Sequence, residues 1–343
     1  MSLNLAVAAK SLLGHRRSCA MITAFPAKIT KALEVTLTES VRKILEEEEQ
    51  MARDETIEKP YTVSDDGRFK LYTLFNKPYA VMKPHASLDY ANLVMHFHPE
   101  DYQLARLQFT GSCSVVVSPL HYLAKEAVKA IPPFPLPKLN VVCKLTALRH
   151  LDTNSIDDNE EYEQLLGKHY PVSMHEEMRS KRKQGYEDCK RAFLARFPEA
   201  GEFLRREDPL MKGFVCLQVD DMTYFGADSR DATPVRAMAY NDAAADSVYL
   251  DSKRIIHGIN THGIDHLKVF ASMSEKKQCM HAFLFQVDSL GFNLMCWFAE
   301  DGAWQEVRVV FEHPVSRSDA AERMMHEAFV EAKKQWAPAP RRS

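Results

Sequence analysis

Residues 254–271, RIIHGINTHGIDHLKVFA, and residues 285–295, FQVDSLGFNLM, decide how this chain is read. The first stretch predicts one amphipathic helix, with Asp251 and Ser252 where an N-cap belongs. Ile256, Ile259, Gly263, Leu267 and Phe270 recur at helical spacing on one face. His257, His262 and His266 crowd the same helix, and His262 and His266 are spaced one turn apart on the flank of that face. The second stretch predicts strands over 282–288 and 292–298 joined by a short turn. A third strand over 304–312 follows, with Asp301-Gly302 as a hairpin signal. A closing helix over 318–336 starts at Ser318, and its stripe of Ala321, Met324, Met325, Ala328, Phe329 and Ala332 belongs in a core. Helix, three strands and helix make a small α/β C-terminal domain over 251–337, followed by a tail over 338–343.

Working outward, 343 residues suffice for about two domains of roughly 150 residues each. An apolar content of 45% supports a real core. A net charge of -3 predicts no nucleic-acid surface, which shows as a basic excess. No run approaches the ~20 apolar residues of a membrane helix, so no membrane span is expected. Seven cysteines stand singly without a CxxC pair, which fits a reducing compartment and predicts no structural thiolate zinc site, hence no metal. Gly258 and Gly263 have P-loop spacing, but Ile264-Asp265 stands where Lys and Ser/Thr would hold phosphate.

Residues 1–33 hold no Asp or Glu, but carry Lys10, Arg16, Arg17, Lys28 and Lys31 among apolar residues at helical spacing. That composition predicts an organellar transit peptide, mitochondrial first, with plastid or cytoplasmic location as the alternatives. A helix is expected over 37–54, its run Glu46–Glu49 forming a solvated side. Strands are expected over 79–82, 91–97, 112–118, 139–151 and 213–225, and helices over 98–108, 120–130 and 181–206, the last broken near Pro198. Residues 168–182 read as a charged loop, and 227–247 as polar, alanine-rich linker. The whole predicts an α+β protein: a barrel or sandwich domain over 34–230, a linker over 231–250, then the C-terminal domain.

The C-terminal pattern resembles the small domain of HugZ-type haem-utilisation proteins. The matching residues are Asn260, Asp265, Leu267 and Phe270, then Asp288, Gly291 and Phe292, then Phe311, Pro314 and Ser316. Upstream, CKLTALRHLD, AFLARFPEAGEFL and FVCLQVDDMTYFG resemble the later half of the split β-barrel of pyridoxamine 5'-phosphate oxidase-like proteins. The chloroplast glutamyl-tRNA-reductase-binding proteins have a similar layout. The resemblance implies an FMN-binding-type split β-barrel ahead of the C-terminal domain, and a homodimer. The chain departs from it at the cofactor sites. Of the FMN-phosphate donors only Arg106 stands in place, and the family's helix histidine falls at Gly263.

Two histidine groups are weighed as sites. His262 and His266 at i, i+4 have the spacing of metal- or haem-ligating helices, against packing at a seam. His96 and His98 share one side of a strand, where a single imidazole could serve haem, against a plain exposed strand face. The candidate cofactor-binding residues are thus Arg106, His96, His98, His262 and His266, with no catalytic set, haem ranking ahead of FMN as cofactor. The expected function is a non-catalytic or degenerate split-barrel protein, a binding, regulatory or assembly subunit of an organelle that responds to haem. Its alternatives are a haem-binding or haem-degrading protein and an FMN-dependent oxidoreductase. A homodimer, or an organellar protein partner in a larger assembly, is the expected company.

Overall fold

The computed structural model describes residues 3–37, 39–53, 59–82, 90–96, 112–117, 138–146, 163, 166–205, 213–226 and 232–335. In chain order the first elements are α1 (Leu5–His15), β1 (Ser18–Pro26), α2 (Lys31–Thr36), α3 (Glu39–Arg53), β2 (Thr62–Val63), β3 (Phe69–Met82), β4 (Asn92–His96), β5 (Ser112–Val117) and β6 (Lys138–Thr146). There follow α4 (Val172–Arg196), a 3-10 turn at Pro198–Ala200, α5 (Gly201–Arg205), β7 (Phe214–Phe225), β8 (Thr233–Pro234), α6 (Ala237–Asp242) and α7 (Ser247–Asp251). The C-terminal elements are α8 (Lys253–His262), α9 (Ile264–Glu275), β9 (Cys279–Asp288), β10 (Gly291–Phe298), β11 (Ala303–Val310) and α10 (Ser318–Gln335). The helices expected over 98–108 and 120–130 lie outside the described residues.

The chain divides into two compact units: Arg17–Val116 with Asn140–Met222, and Met1–Arg16 with Val117–Leu139 and Thr223–Ser343. The first unit is built on a curled antiparallel half-barrel sheet in the order β1-β5-β6-β7-β4-β3-β2. β1 pairs with β5 on one side and β3 on the other, which curls the sheet back on itself. The bend falls where the β1–β3 register slips between Cys19 and Met21, opposite Asn76 at a left-handed φ of 57°. Asparagine tolerates that conformation, and a bulge sharpens local twist. Four side chains of β1 alternate inward, Cys19, Met21, Thr23 and Phe25, and all are buried. α4 lies on β3, β4 and β7, setting Cys189 and Phe193 against Ala80, Val94, Phe214 and Cys216. It ends where expected, before Pro198, but its first turns run through 172–182, read from sequence as a loop. An i,i+4 pair, Glu177–Lys181 at 2.6 Å, and the Arg179–Glu163 bridge stabilise that charged stretch as helix.

α3 packs Val41 beside Leu37, Phe25 and Tyr72. The acidic run on this helix is not wholly solvated. Glu48 is 3% exposed and accepts hydrogen bonds from Tyr72 Oη at 2.6 Å and Lys70 Nζ at 3.4 Å. A buried carboxylate needs such partners, and the sequence run hides which Glu has them.

In the second unit, α1 falls within residues 1–33, the stretch expected as a transit peptide. Asn4 caps α1, whose Ala6, Ala8, Ala9, Leu12 and Leu13 are buried. Lys10 Nζ donates to the carbonyls of Tyr240, Asn241 and Ala243, closing the C-terminal end of α6 with a cation. His15 Nδ1 lies 2.9 Å from the Leu250 carbonyl, and its ring meets Tyr249 edge-on. Removal of residues 1–33 would therefore take away α1 here and strand β1 from the other unit. Residues 231–250, expected as linker, carry α6 and α7, with Tyr240, Val248 and Tyr249 buried. The three-stranded antiparallel sheet runs in the order β11-β10-β9, with α8, α9 and α10 on one face. Phe270, Phe292 and Phe329 join α9, β10 and α10, with ring centroids 5.5–5.8 Å apart.

Candidate functional site

The paired histidines of the opening stretch do not share a helix. Gly263 caps α8, its N–H donating to the Ile259 carbonyl at 2.7 Å, and α9 starts at Ile264. A Cβ at Gly263 would stand 3.0 Å from that same carbonyl, so glycine suits the break. His262 is the last residue of α8 and His266 lies in the first turn of α9, and both are exposed. The i, i+4 spacing therefore spans two helices rather than one turn of a single helix.

His96 is not on an open strand face. β4 runs between β3 and β7, and Leu93, Val94 and Met95 are all 0% exposed, so the strand is buried on both sides. The His96 ring sits edge-on to Phe214 at 5.7 Å and tilts toward Phe193 at 6.4 Å. It is a histidine packed among aromatic rings. His98 and Arg106 lie outside the described residues. Among the described residues, no group of three or more His, Cys, Asp or Glu side chains is placed to hold a metal ion, and no helix is long and apolar enough to cross a membrane.

Asn260, one of the residues carrying the resemblance, has a definite structural role. Its Nδ2 donates to the Leu284 carbonyl at 2.7 Å and its Oδ1 accepts from the Leu284 N–H at 2.9 Å. β9 is the edge of the sheet, and this side-chain amide supplies the pairing that a further strand would give.

The register of the C-terminal sheet defines a second face that sequence reading missed. Trp297 stands opposite both His281 and Trp304, and Met295 opposite both Phe283 and Glu306. Asn293 stands opposite Gln286 and Arg308. Paired residues point to the same side, so these rows share one face, opposite Leu284, Leu294 and Val307. One end of it is aromatic and open. His281 is exposed and Trp297, Trp304 and Phe283 are half-buried, with Trp304 centroids 5.7 Å from Trp297, 5.8 Å from Phe283 and 6.3 Å from His281.

The other end is polar and closed. Asp288, at 0% exposure, accepts from Arg308 through both oxygens at 2.8 Å. Gln286 Nε2 adds a bond at 3.0 Å, and the Leu290 N–H one at 2.9 Å. Asn293 accepts from Arg308 and donates to Glu306. Tyr224, at the end of β7, faces the same groups. Burial first, then Tyr249, Glu306 and Asp288, push its phenol well above the ordinary range, and Arg308 opposes them. The turn that follows Asp288 is locked in turn. Asp246, which caps α7, accepts from the Ser289 N–H at 3.2 Å, and the Ser289 carbonyl accepts from Val315 N at 2.8 Å. A Cβ on Gly291 would lie 2.0 Å from the Val309 carbonyl oxygen, so no other residue fits there. Asp288 and Gly291 are both legible in the sequence pattern. Arg308 and the aromatic row become visible only through strand register.

Comparison with known proteins leaves the class at this level: a mixed helix-and-sheet chain with a curled antiparallel half-barrel sheet. No family model and no curated protein matches it. Among solved structures it is similar to a heme binding protein from Mycobacterium smegmatis, at 12% identity and a TM-score of 0.42, over 98% of this chain and 100% of that one. A protein of unknown function from Agrobacterium tumefaciens gives 12% identity and a TM-score of 0.33, over 95% of this chain and 94% of that one. Likeness of that order assigns neither a family nor a ligand.

Proposed function

We propose that the protein is a non-catalytic binding or regulatory subunit of an organellar assembly, built as a degenerate split barrel with a haem-utilisation-type C-terminal domain. The observation that carries this reading is the open row of His281, Trp297 and Trp304 beside Phe283. His281 is exposed and the Trp297 ring half-accessible, while Trp304 anchors the row on the buried Phe285 and Met295; aromatic rings held in this way on a sheet dominate recognition surfaces. At the other end of the same face, the Asp288–Arg308 pair fixes the strands that present the row. The test is size-exclusion of organelle extract containing the tagged protein, against its Trp304→Ala variant. Loss of a defined larger complex in a folded variant supports the reading, and an unchanged complex overturns it.

A second reading places haem on the same face with His281 as axial ligand. It is favoured by one observation, a solvent-facing imidazole beside an indole plane. A Soret band on haem titration that persists in His281→Ala would rule it out. FMN ranks behind both, since the sequence offers Arg106 without its neighbouring donors. The homodimer and the mitochondrial location are proposals of the same kind, resting on the resemblance and on the acid-free, basic N-terminal segment. Equilibrium sedimentation tests the first. Imaging of residues 1–33 fused to a fluorescent protein tests the second.

A further inference from the structure

Four of the cysteines that stand singly in sequence pack two by two in the fold. Cys279 on β9 and Cys296 on β10 face the same side of adjacent strands and lie in one core cluster. Cys189 on α4 and Cys216 on β7 pack together in a second cluster. The two pairs differ in setting. Cys189 and Cys216 are sealed in the core at 0% and 1% exposure. Cys279 opens an edge strand at 7% exposure, next to the exposed Met280, while Cys296 behind it is at 0%.

We propose that Cys279 and Cys296 form an oxidisable dithiol, with Cys279 the attacking sulfur, Cys296 the resolving one, and hydrogen peroxide the class of oxidant. Three features support that order. Cys279 Sγ lies 3.2 Å from the His281 carbonyl oxygen, and the Cys279 N–H donates to Ser272 Oγ at 2.9 Å, so the residue is held from two sides. The neighbouring Cys296 thiol first, then the charge of Lys268, hold the Cys279 thiol below its ordinary range against burial. In the inner pair, the Cys189 thiol is raised by its contact with Cys216 and by burial.

The step balances. The Cys279 thiolate attacks one peroxide oxygen, the O–O bond breaks, and the departing hydroxide leaves as water after taking a proton. The sulfenic acid left on Cys279 is attacked by Cys296 sulfur. An S–S bond forms, the S–O bond breaks, and the hydroxide takes the Cys296 proton to leave as a second water.

The register adds a consequence. Cys279 is opposite Phe298 and Cys296 opposite Ala282, so the pair is diagonal, with an extra residue, Met280, in the β9 register between them. Diagonal neighbours have Cα atoms about 7–8 Å apart. A relaxed disulfide wants about 4.4–6.8 Å. Closure therefore pulls β9 inward at Met280 and leaves a strained bond that is easily reduced. Trp297 adjoins Cys296, and its cross-strand neighbour His281 holds Cys279, so tryptophan emission reports the change.

The experiment is peroxide titration of the folded full-length protein, then alkylation, digestion and mass spectrometry. The expected product is a peptide joining Cys279 to Cys296, lighter by two hydrogens, with a change in tryptophan emission reversed by glutathione. Cys189 and Cys216 should stay alkylatable once the protein is unfolded. In Cys296→Ser the sulfenic acid on Cys279 should persist long enough to be trapped. Sulfinic acid on Cys279 with Cys296 still a thiol, or a Cys189–Cys216 link appearing first, would overturn the proposal. So would the absence of thiol loss at peroxide levels that oxidise free cysteine. The wild-type spectrum decides even if the serine variant does not fold.

Discussion

At the scale of single residues, Asp288 and Asn260 hold the C-terminal unit together, and the histidines do not. Asp288 has no exposed surface and pairs with Arg308 through two bonds of 2.8 Å. Asp288→Ala leaves a guanidinium in a closed setting without its counter-charge, and is expected to cost ~3–5 kcal/mol in urea unfolding. Replacing both partners, Asp288→Leu with Arg308→Met, should recover most of that loss, because the desolvation cost disappears with the charges. Asn260→Ala strips two backbone groups of their partner and should cost ~1–3 kcal/mol. His262→Ala and His266→Ala, at exposed helix positions, should each stay within ~0.5 kcal/mol. A larger loss at either histidine than at Asn260 would contradict this ranking. The sequence shows all four residues equally well. What it hides is that Gly263 ends one helix between the histidines, and that the Asn260 amide faces a bare strand edge rather than a ligand.

At the scale of elements, the strands of the C-terminal unit were expected and β1 was not. β9, β10 and β11 are rich in strand-forming residues and bounded by turn signals, so their bounds in the structure lie within about three residues of the expected ones. β1 escaped because Ser18–Phe25 is short, acid-free and preceded by a basic helix, a composition that also describes targeting peptides. Its alternation is blurred by a polar residue on the inward side, Thr23, and an apolar one on the outward side, Ile22. The two turns of the C-terminal sheet offer a direct check. Gly291 has φ 155° with a carbonyl 2.0 Å from any added Cβ, whereas Gly302 has φ 58° with open space around it. Gly302→Ala should cost ~1–2 kcal/mol, the penalty of a left-handed conformation. Gly291→Ala must also move β11, and should lower the urea midpoint further. Equal midpoints would mean that the β10–β11 pairing tolerates the displacement.

At the scale of the whole molecule, pH and partner binding test the account. Burial pushes the Tyr240 phenol and the Cys19 thiol up to about 12 each. In the unfolded chain these groups lose their protons near ~10 and ~8.5 respectively. The folded state therefore binds more protons between those values and about 12. Its stability is intact below the unfolded values and falls as pH rises toward about 12. Urea midpoints measured through the alkaline range should decline steadily, and Tyr240→Phe should flatten the decline. The mixed helix-and-sheet class follows from local patterning, whereas the barrel expectation rests on the resemblance. The face that carries His281, Trp297 and Trp304 follows from register, which no stretch of sequence displays alone. Size-exclusion of the tagged protein in organelle extract is the measurement that bears most directly on that face. The account predicts that wild-type protein elutes in a defined larger complex and folded Trp304→Ala protein elutes without it. Identical elution of the two would contradict the account.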